Sequence, residues 1–205
     1  MNEKEKMLAG KIYDSTMDGL AEERHEAHEL CRLYNMTPET DEKKRTEILK
    51  KLLPNLGEES FLVSPINFDY GINTKIGKRF FSNFNLAILD CAPVEIGDDV
   101  FVGPNVSIMT PIHPLRYQER NTYHNQSNIL TDREYAKPIV IGNNIWIASN
   151  VVITGGVHIG NGSVIAAGSV VNHDIPENVL AAGVPCKVIR PITEADSIKL
   201  KKDLW

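Results

Sequence analysis

Between Ile141 and Val171 an aliphatic residue returns at every sixth position: Ile141, Ile147, Ile153, Ile159, Ile165 and Val171. Most are followed by a small residue, as in Ile141-Gly142, Ile147-Ala148, Ile159-Gly160 and Ile165-Ala166. The same beat runs through Ile96-Gly97, Val102-Gly103 and Ile108. A helix repeats at 3.6 and a half-buried strand at 2.0, so a period of six predicts a coil of short flat strands with a turn after each. Each hexad then forms one side of a prism, with its aliphatic residue pointing inward onto its equivalents in adjacent coils. Gly, Asn or Asp near a corner tolerates the positive φ that such a turn can require. Three sides make a coil of about eighteen residues, stable only when stacked on its neighbours. Ile76-Gly77 opens a further hexad two residues out of register with Ile96, which predicts a bulge or a longer corner between them.

The first fifth of the chain has a different rhythm. Leu20, Ala27, Cys31 and Tyr34 recur at helical spacing, with charged residues between them, and predict one amphipathic helix. Thr37-Pro38 reads as an N-cap followed by proline in the first turn of a second helix, whose stripe is Ile48, Leu49, Leu52 and Leu53 and which Pro54 stops. The pair is expected to form a hairpin, with the mixed charges of 41–45 on its solvated face. Pattern therefore divides the chain into a helical segment (1–55), a coil (56–190) and a short C-terminal helical tail (191–205) capped by Thr193.

One stretch obeys neither period. From Met109 to Pro138 the chain reads MTPIHPLRYQERNTYHNQSNILTDREYAKP, polar and rich in turn formers, and so forms a protruding loop. Its His113 leaves the repeat where a rigid scaffold could aim an imidazole outward, the position of a candidate general base. His124 lies in the polar middle of the loop and reads as solvated, as do His25 and His28 on the first helix, while His158 and His173 sit at hexad edges. Trp146 is expected to pack as a corner aromatic.

Composition narrows the function classes. The 205 residues carry a formal charge of -5, which argues against nucleic acid or an anionic membrane as the main partner. Cys31, Cys91 and Cys186 are odd in number, widely spaced and without a CxxC, as expected for buried thiols in a reducing, cytoplasmic setting. No run of 18 apolar residues suggests a membrane span, and the N-terminus lacks a signal-peptide core. A zinc hydratase on the same kind of coil would need closely spaced histidine ligands, and no HxxxxH pair exists. No metal is therefore expected. A non-catalytic solenoid would need neither the PIHP motif nor the closing basic pair Lys187 and Arg190.

Taken in order, MLAGKIYD, NFDYGINTKIG, IGDDVFVGPNVSI, PIHPL, the hexads from Ile141 and the closing AAGVPCKVIR resemble the maltose and galactoside O-acetyltransferases over essentially the whole chain. The resemblance implies a mainly β architecture, a left-handed parallel β-helix with an N-terminal helical segment and a protruding loop. It also implies a homotrimer binding acetyl-CoA between neighbouring prisms, and acetyl transfer to a hydroxyl of a sugar or glycoside. A non-sugar hydroxyl acceptor is the alternative.

The same resemblance distributes roles. His113 falls in the family's catalytic motif, and Ser149 lies where a backbone N–H would stabilise the oxyanion. Ser15, Asp69, Asn83 and Glu134 match acceptor contacts, Asn83 serving the cofactor as well. Ala166 and Ala167 would flank the pantetheine arm, with Ser149 and Asn172 beside it, and Lys187 and Arg190 would meet the coenzyme A phosphates. Asp90 followed by Cys91, together with the long loop, leans toward the maltose-type branch. No activated Cys or Ser nucleophile stands out, so direct attack in a ternary complex is the expected mechanism.

Overall fold

A computed structural model describes residues 1–204. From Asn55 the chain winds into a parallel β-solenoid with three flat faces. Face A stacks Asn55–Leu56, Thr74–Ile76, Val94–Ile96, Ile139–Ile141 and His158–Ile159. Face B stacks Phe61–Leu62, Phe81–Ser82, Phe101–Val102, Trp146–Ile147, Val164–Ile165 and Val179–Ala182, and is closed by the antiparallel strand Lys187–Pro191. Face C stacks Ile66–Phe68, Leu86–Leu89, Ser107–Met109, Val152–Thr154 and Val170–Val171.

The register reproduces the hexad reading residue by residue. Ile76, Ile96, Ile141 and Ile159 pair in one column. Val102, Ile147 and Ile165 form a second, and Ile108, Ile153 and Val171 a third. All are buried, because alternation within each short strand sends one side chain inward and its neighbour out. Ser82 interrupts the second column between Leu62 and Val102, buried and with no hydrogen-bond partner for its Oγ.

The small residue after each aliphatic one has a steric cause. Coils approach so closely at the exit of face A that a Cβ on Gly97 would lie 2.8 Å from the Gly142 carbonyl, and one on Gly77 2.5 Å from the Gly97 backbone. Corners use left-handed residues as expected: Asp99, Asn144 and Asn178 in one column, Asn85, Asn105 and Asn150 in another, all at positive φ. Arg79 and Glu59 also adopt positive φ in the first of these columns, where Arg79 makes two 2.6 Å bonds to Asp99.

The register offset at Ile76 resolves into a wide corner. Ile141 pairs with Ile159, eighteen residues on, whereas Ile76 pairs with Ile96, twenty on. The two additional residues fall between faces C and A, within 69–73 and again within 89–93. The long insertion leaves from this same corner one coil later. Asp90 and Thr110 satisfy the backbone there: Asp90 Oδ1 accepts from the N–H groups of Tyr70 and Gly71, and Thr110 Oγ1 accepts from that of Ala92.

Three helices precede the solenoid; the first packs beside the return strand of the insertion and the other two against the first coil. Helix α1 (Glu3–Leu8) has a capping box between Asn2 and Glu5, a local signal that the apolar pattern alone does not reveal. Helix α2 (Leu20–Met36) buries Leu20, Ala27, Cys31 and Tyr34 as the spacing predicts. Helix α3 (Glu42–Leu52) starts later than expected. Asp41 is its cap, accepting from the Lys44 N–H, whereas Thr37 ends α2 by turning its hydroxyl back to the Leu33 carbonyl. The hairpin closes the open end of the first coil: Asn35 exchanges two hydrogen bonds with the Ile66 backbone, and Tyr34 Oη donates to the Leu62 carbonyl at 2.6 Å.

Arg45 corrects the reading of 41–45 as wholly solvated. It is buried, stacks 4.0 Å above the Tyr34 ring and donates to the carbonyls of Thr37 and Leu62. At the other terminus Thr193 is a cap, but of a 3₁₀ turn. The tail forms three such turns, Glu194–Asp196, Ile198–Leu200 and Lys202–Leu204, with no buried side chain to sustain an α-helix. All three cysteines are buried free thiols, and no helix among the described residues is long and apolar enough to cross a membrane.

Candidate active site

The wide corner is where the chemistry-bearing residues gather. The insertion begins and ends as a two-residue antiparallel ladder, Pro111–Ile112 against Tyr135–Ala136. This ladder sets His113, just past its outgoing strand, against Glu134, just before its return strand. His113 is close to half exposed. Its Nδ1 lies 3.3 Å from the Arg133 carbonyl oxygen and 3.6 Å from an Asp132 carboxylate oxygen. A proton on Nδ1 can be donated to the Arg133 carbonyl, which leaves Nε2 with its lone pair directed away from that contact.

Glu134 is held from the other side. Tyr13 Oη donates to its Oε1, and the Tyr13 N–H donates to its carbonyl at 3.1 Å. Burial pushes the Glu134 carboxyl above the ordinary range, against the pull of the Tyr13 hydrogen bond. Burial also raises the Tyr13 phenol and the Cys91 thiol well above their usual values, so both stay protonated. Cys91 Sγ donates to Asp69 Oδ2 across 3.6 Å, and Asp69 Oδ1 faces His28 Nε2 at 3.4 Å. Arg24 reaches Tyr70 Oη at 3.4 Å. Met7, Tyr13, Leu20, Tyr70, Cys91, Ala92 and Ala136 form a small core of their own under this cluster, which fixes its floor.

A cleft of about 540 Å³ opens beside it between α2 and face C, lined by His28, Arg32, Asn35, Asn67 and Asp69 among others. His28 is exposed, as its reading as a solvated helix residue expects, and it also lines the wall of this cleft. Periodicity could not separate the two, because His28 flanks the buried stripe of α2. Arg24 carries no motif, and Tyr13 within MLAGKIYD and Cys91 after Asp90 have no role assigned by pattern; only folding places the three together.

The residues expected to bind cofactor occupy another edge. Asn83, Ser149, Ala166 and Ala167 all lie just beyond face B strands, at the corner leading to face C, with Ser149 and Ala166–Ala167 on adjacent coils and Asn83 separated from Ser149 by the coil of Gly103. Ala148 N–H donates to the Ile165 carbonyl, whereas the Ser149 N–H makes no such bond among the described residues. Gly103 lies over it: a Cβ there would come within 2.8 Å of that nitrogen. Asn83 turns its Oδ1 to the Phe84 N–H and stands at this edge, apart from Asp69 and Glu134.

Lys187 is exposed on the closing strand beside Ala182, at the end of the same edge. Arg190 is engaged by Asp196 in two hydrogen bonds of 2.6 and 2.8 Å. Asn172 falls on the C-to-A corner, its Oδ1 2.8 Å from His173 Nδ1. Ser15 is half-buried, two residues past Tyr13 on the segment that meets the insertion. Trp146 departs from expectation: Ile147 takes the inward place, so the indole points outward, 55% exposed, in an aromatic column with Phe61, Phe81 and Phe101. Among the described residues no group of three or more His, Cys, Asp or Glu side chains could hold a metal ion.

Comparison with known proteins gives this arrangement a context. Residues 6–57 match the maltose acetyltransferase hexapeptide capping motif, and residues 138–173 match the bacterial transferase hexapeptide in six repeats. The chain is 41% identical to the galactoside O-acetyltransferase of Escherichia coli (strain K12), covering 97% of this chain and 94% of that protein. This chain belongs to the maltose and galactoside O-acetyltransferase family. As a member of that acetyltransferase family it also superposes on a maltose O-acetyltransferase from Clostridium difficile 630, with a TM-score of 0.87 and 44% identity over 95% of this chain and 99% of the other. A hexapeptide-repeat acetyltransferase of Vibrio cholerae O1 biovar eltor, solved in complex with acetyl coenzyme A, matches with a TM-score of 0.82 and 36% identity over 95% of this chain and 100% of the other.

Proposed function

We propose that the protein transfers an acetyl group from acetyl-CoA to a hydroxyl of a small sugar or glycoside, with His113 as the general base. The observation that carries the reading is the attitude of His113, whose Nδ1 faces the Arg133 carbonyl while Nε2 is left to accept a proton. A neutral hydroxyl is a poor nucleophile, and an imidazole that titrates near neutrality suits the task. The acceptor oxygen attacks the thioester carbonyl carbon as its proton passes to Nε2. The resulting oxyanion accepts from the Ser149 N–H, which Gly103 leaves uncovered. Collapse breaks the C–S bond, and the thiolate of coenzyme A takes the proton back from His113.

His113 and Ser149 stand on different edges of one prism. The reaction as written therefore joins the insertion of one subunit to the B-to-C edge of another, as in a homotrimer of parallel prisms. Along that edge Ala166 and Ala167 leave room for the pantetheine arm, and Lys187 meets the phosphates at its end. Arg190 would exchange Asp196 for a phosphate oxygen to join it. His28, Arg32, Asn35, Asn67 and Asp69 set donors and acceptors around the cleft, with Glu134 and Arg24 in the cluster beside it, as a polyol requires.

The test is His113→Ala, assayed by thiol release from acetyl-CoA against a panel of maltose, glucosides, galactosides and simple alcohols. Turnover should fall by roughly 10²- to 10⁴-fold, the usual worth of a general base. Undiminished transfer by this variant would remove His113 from the chemistry.

A further inference from the structure

The orientation of His113 rests on Asp132 and Arg133, two residues in the return limb of the insertion. The residues on either side of that pair are gripped by two consecutive residues of the N-terminal segment. Asp14 Oδ1 accepts from Thr131 Oγ1 at 2.8 Å, and Asp14 Oδ2 accepts from Asn125 Nδ2 at 2.7 Å. Tyr13 holds Glu134 through both its N–H and its phenol. Thr131 and Glu134 are thus pinned one residue before and one after the pair that faces the imidazole.

The grip adds to short local pairing. The two limbs of the insertion pair with each other in two-residue ladders, Pro111–Ile112 with Tyr135–Ala136 and Tyr123–His124 with Leu130–Thr131. Behind its tip lies a cavity of about 530 Å³, bounded by Tyr13, Asp14, Tyr123 and Asn125 among others, so the tip is held by hydrogen bonds together with the stacking of Arg133 4.2 Å over the Tyr123 ring. Asp14 is 9% exposed, and its carboxylate is filled by donors: Thr16 N–H and Oγ1, Thr131 Oγ1 and Asn125 Nδ2. Burying a carboxylate is a costly way to anchor a surface loop, and a residue that merely glued segments together would serve better as an apolar one. The gain from a multiply bonded carboxylate is geometric definition.

We propose that Tyr13 and Asp14 are positioning residues for the transfer reaction: they clamp the return limb so that the Arg133 carbonyl selects the Nδ1–H tautomer of His113 and aims Nε2 at the acceptor hydroxyl. The proposal rests on the reading of His113 as the base. Neither residue needs to touch a substrate.

The experiment compares Asp14→Ala, Asp14→Asn, Thr131→Val and Tyr13→Phe with the wild-type protein by steady-state kinetics, thermal unfolding and ¹⁵N spectra of the His113 imidazole. Misplacing a catalytic group by about 1 Å can cost on the order of 100-fold, so kcat in Asp14→Ala should fall by roughly 10- to 100-fold with KM for acetyl-CoA nearly unchanged. The His113 ring nitrogens should move from a single Nδ1–H tautomer toward a mixture. Asp14→Asn, which keeps the shape and one accepting oxygen, should recover part of kcat. Thr131→Val should reproduce part of the loss and add little to Asp14→Ala.

Unchanged kcat and tautomer in Asp14→Ala would overturn the proposal, as would a loss that follows melting temperature and KM for acetyl-CoA alike. If Asp14→Ala does not fold, Thr131→Val and Tyr13→Phe decide by the same criteria. Running His113→Ala beside them separates the two readings. Full activity there sinks the general base itself, whereas an inactive His113→Ala beside an unaffected Asp14→Ala sinks only the clamp.

Discussion

At the scale of single residues, buried carboxylates make opposite demands on pH. Asp90 is fully buried at the wide corner, where burial lifts its carboxyl above the ordinary range even though it accepts from Tyr70 N–H, Gly71 N–H and Thr74 Oγ1. A carboxyl whose folded pKa is raised favours the protonated form. Its contribution to stability is full below the unfolded value, about 3.9 for aspartate, and is lost as pH rises through the folded value. Asp14 runs the other way. Burial opposes its ionisation, but its hydrogen bonds from Asn125, Thr16 and Thr131 outweigh that and lower its pKa, so its contribution disappears as pH falls. Asp90→Asn isolates the first effect, since the amide oxygen can still accept from the two backbone donors while carrying no charge. Urea midpoints of the variant, set against wild type, should improve as pH rises from 4 through the raised folded value and level off above it. A constant difference across that range would show that Asp90 titrates alike in the folded and unfolded chains.

At the scale of elements, the hexad is a steric contract between coils. The aliphatic position fills the prism and the following small position lets the next coil approach. Gly97 tests this, because a methyl group there would press on the Gly142 backbone and on Asn143 Oδ1, which is itself held by the Asp98 N–H. Gly97→Ala should destabilise by roughly 1–3 kcal/mol, the usual cost of overpacking, read as a lower denaturant midpoint. Stability equal to wild type would mean that the coils can separate at this edge.

The same logic explains what could be read from sequence. Ile96, Ile141 and Ile159 announced their column because each inward position is filled independently and locally. So did the helical stripe of Leu20, Ala27, Cys31 and Tyr34. The contacts that build the site are not local. Asp14 meets Thr131 across 117 residues and Tyr13 meets Glu134 across 121, and neither pair has any periodicity to betray it. Arg45 looked like one more surface charge because its burial depends on the Tyr34 ring and the carbonyls of Thr37 and Leu62, which only the closed hairpin assembles. His113 was legible as a candidate from its place at the edge of the repeat, whereas the Arg133 carbonyl that faces its Nδ1 leaves no mark in side-chain identity.

At the scale of the whole molecule, the separation of His113 from the Ser149 edge demands a second copy of the chain if the proposed reaction is right. A closed ring of identical subunits can place the insertion of each against the next subunit's edge. Complementation tests this directly. His113→Ala removes the proposed base but leaves the B-to-C edge intact. Ala167→Trp fills the exposed corner proposed for the pantetheine arm and leaves His113 intact. Each protein alone should be nearly inactive, while subunits co-refolded in equal amounts should recover activity in about a quarter of their sites by random pairing in a cyclic assembly. The recovering sites are those that combine His113 of an Ala167→Trp subunit with the edge of a His113→Ala subunit. Recovery should grow with mixing ratio up to parity and vanish when preformed assemblies are mixed without dissociation. A mixture no more active than its parents, with sedimentation showing that mixed assemblies have formed, would place both halves of the site within one chain and contradict the shared-site mechanism.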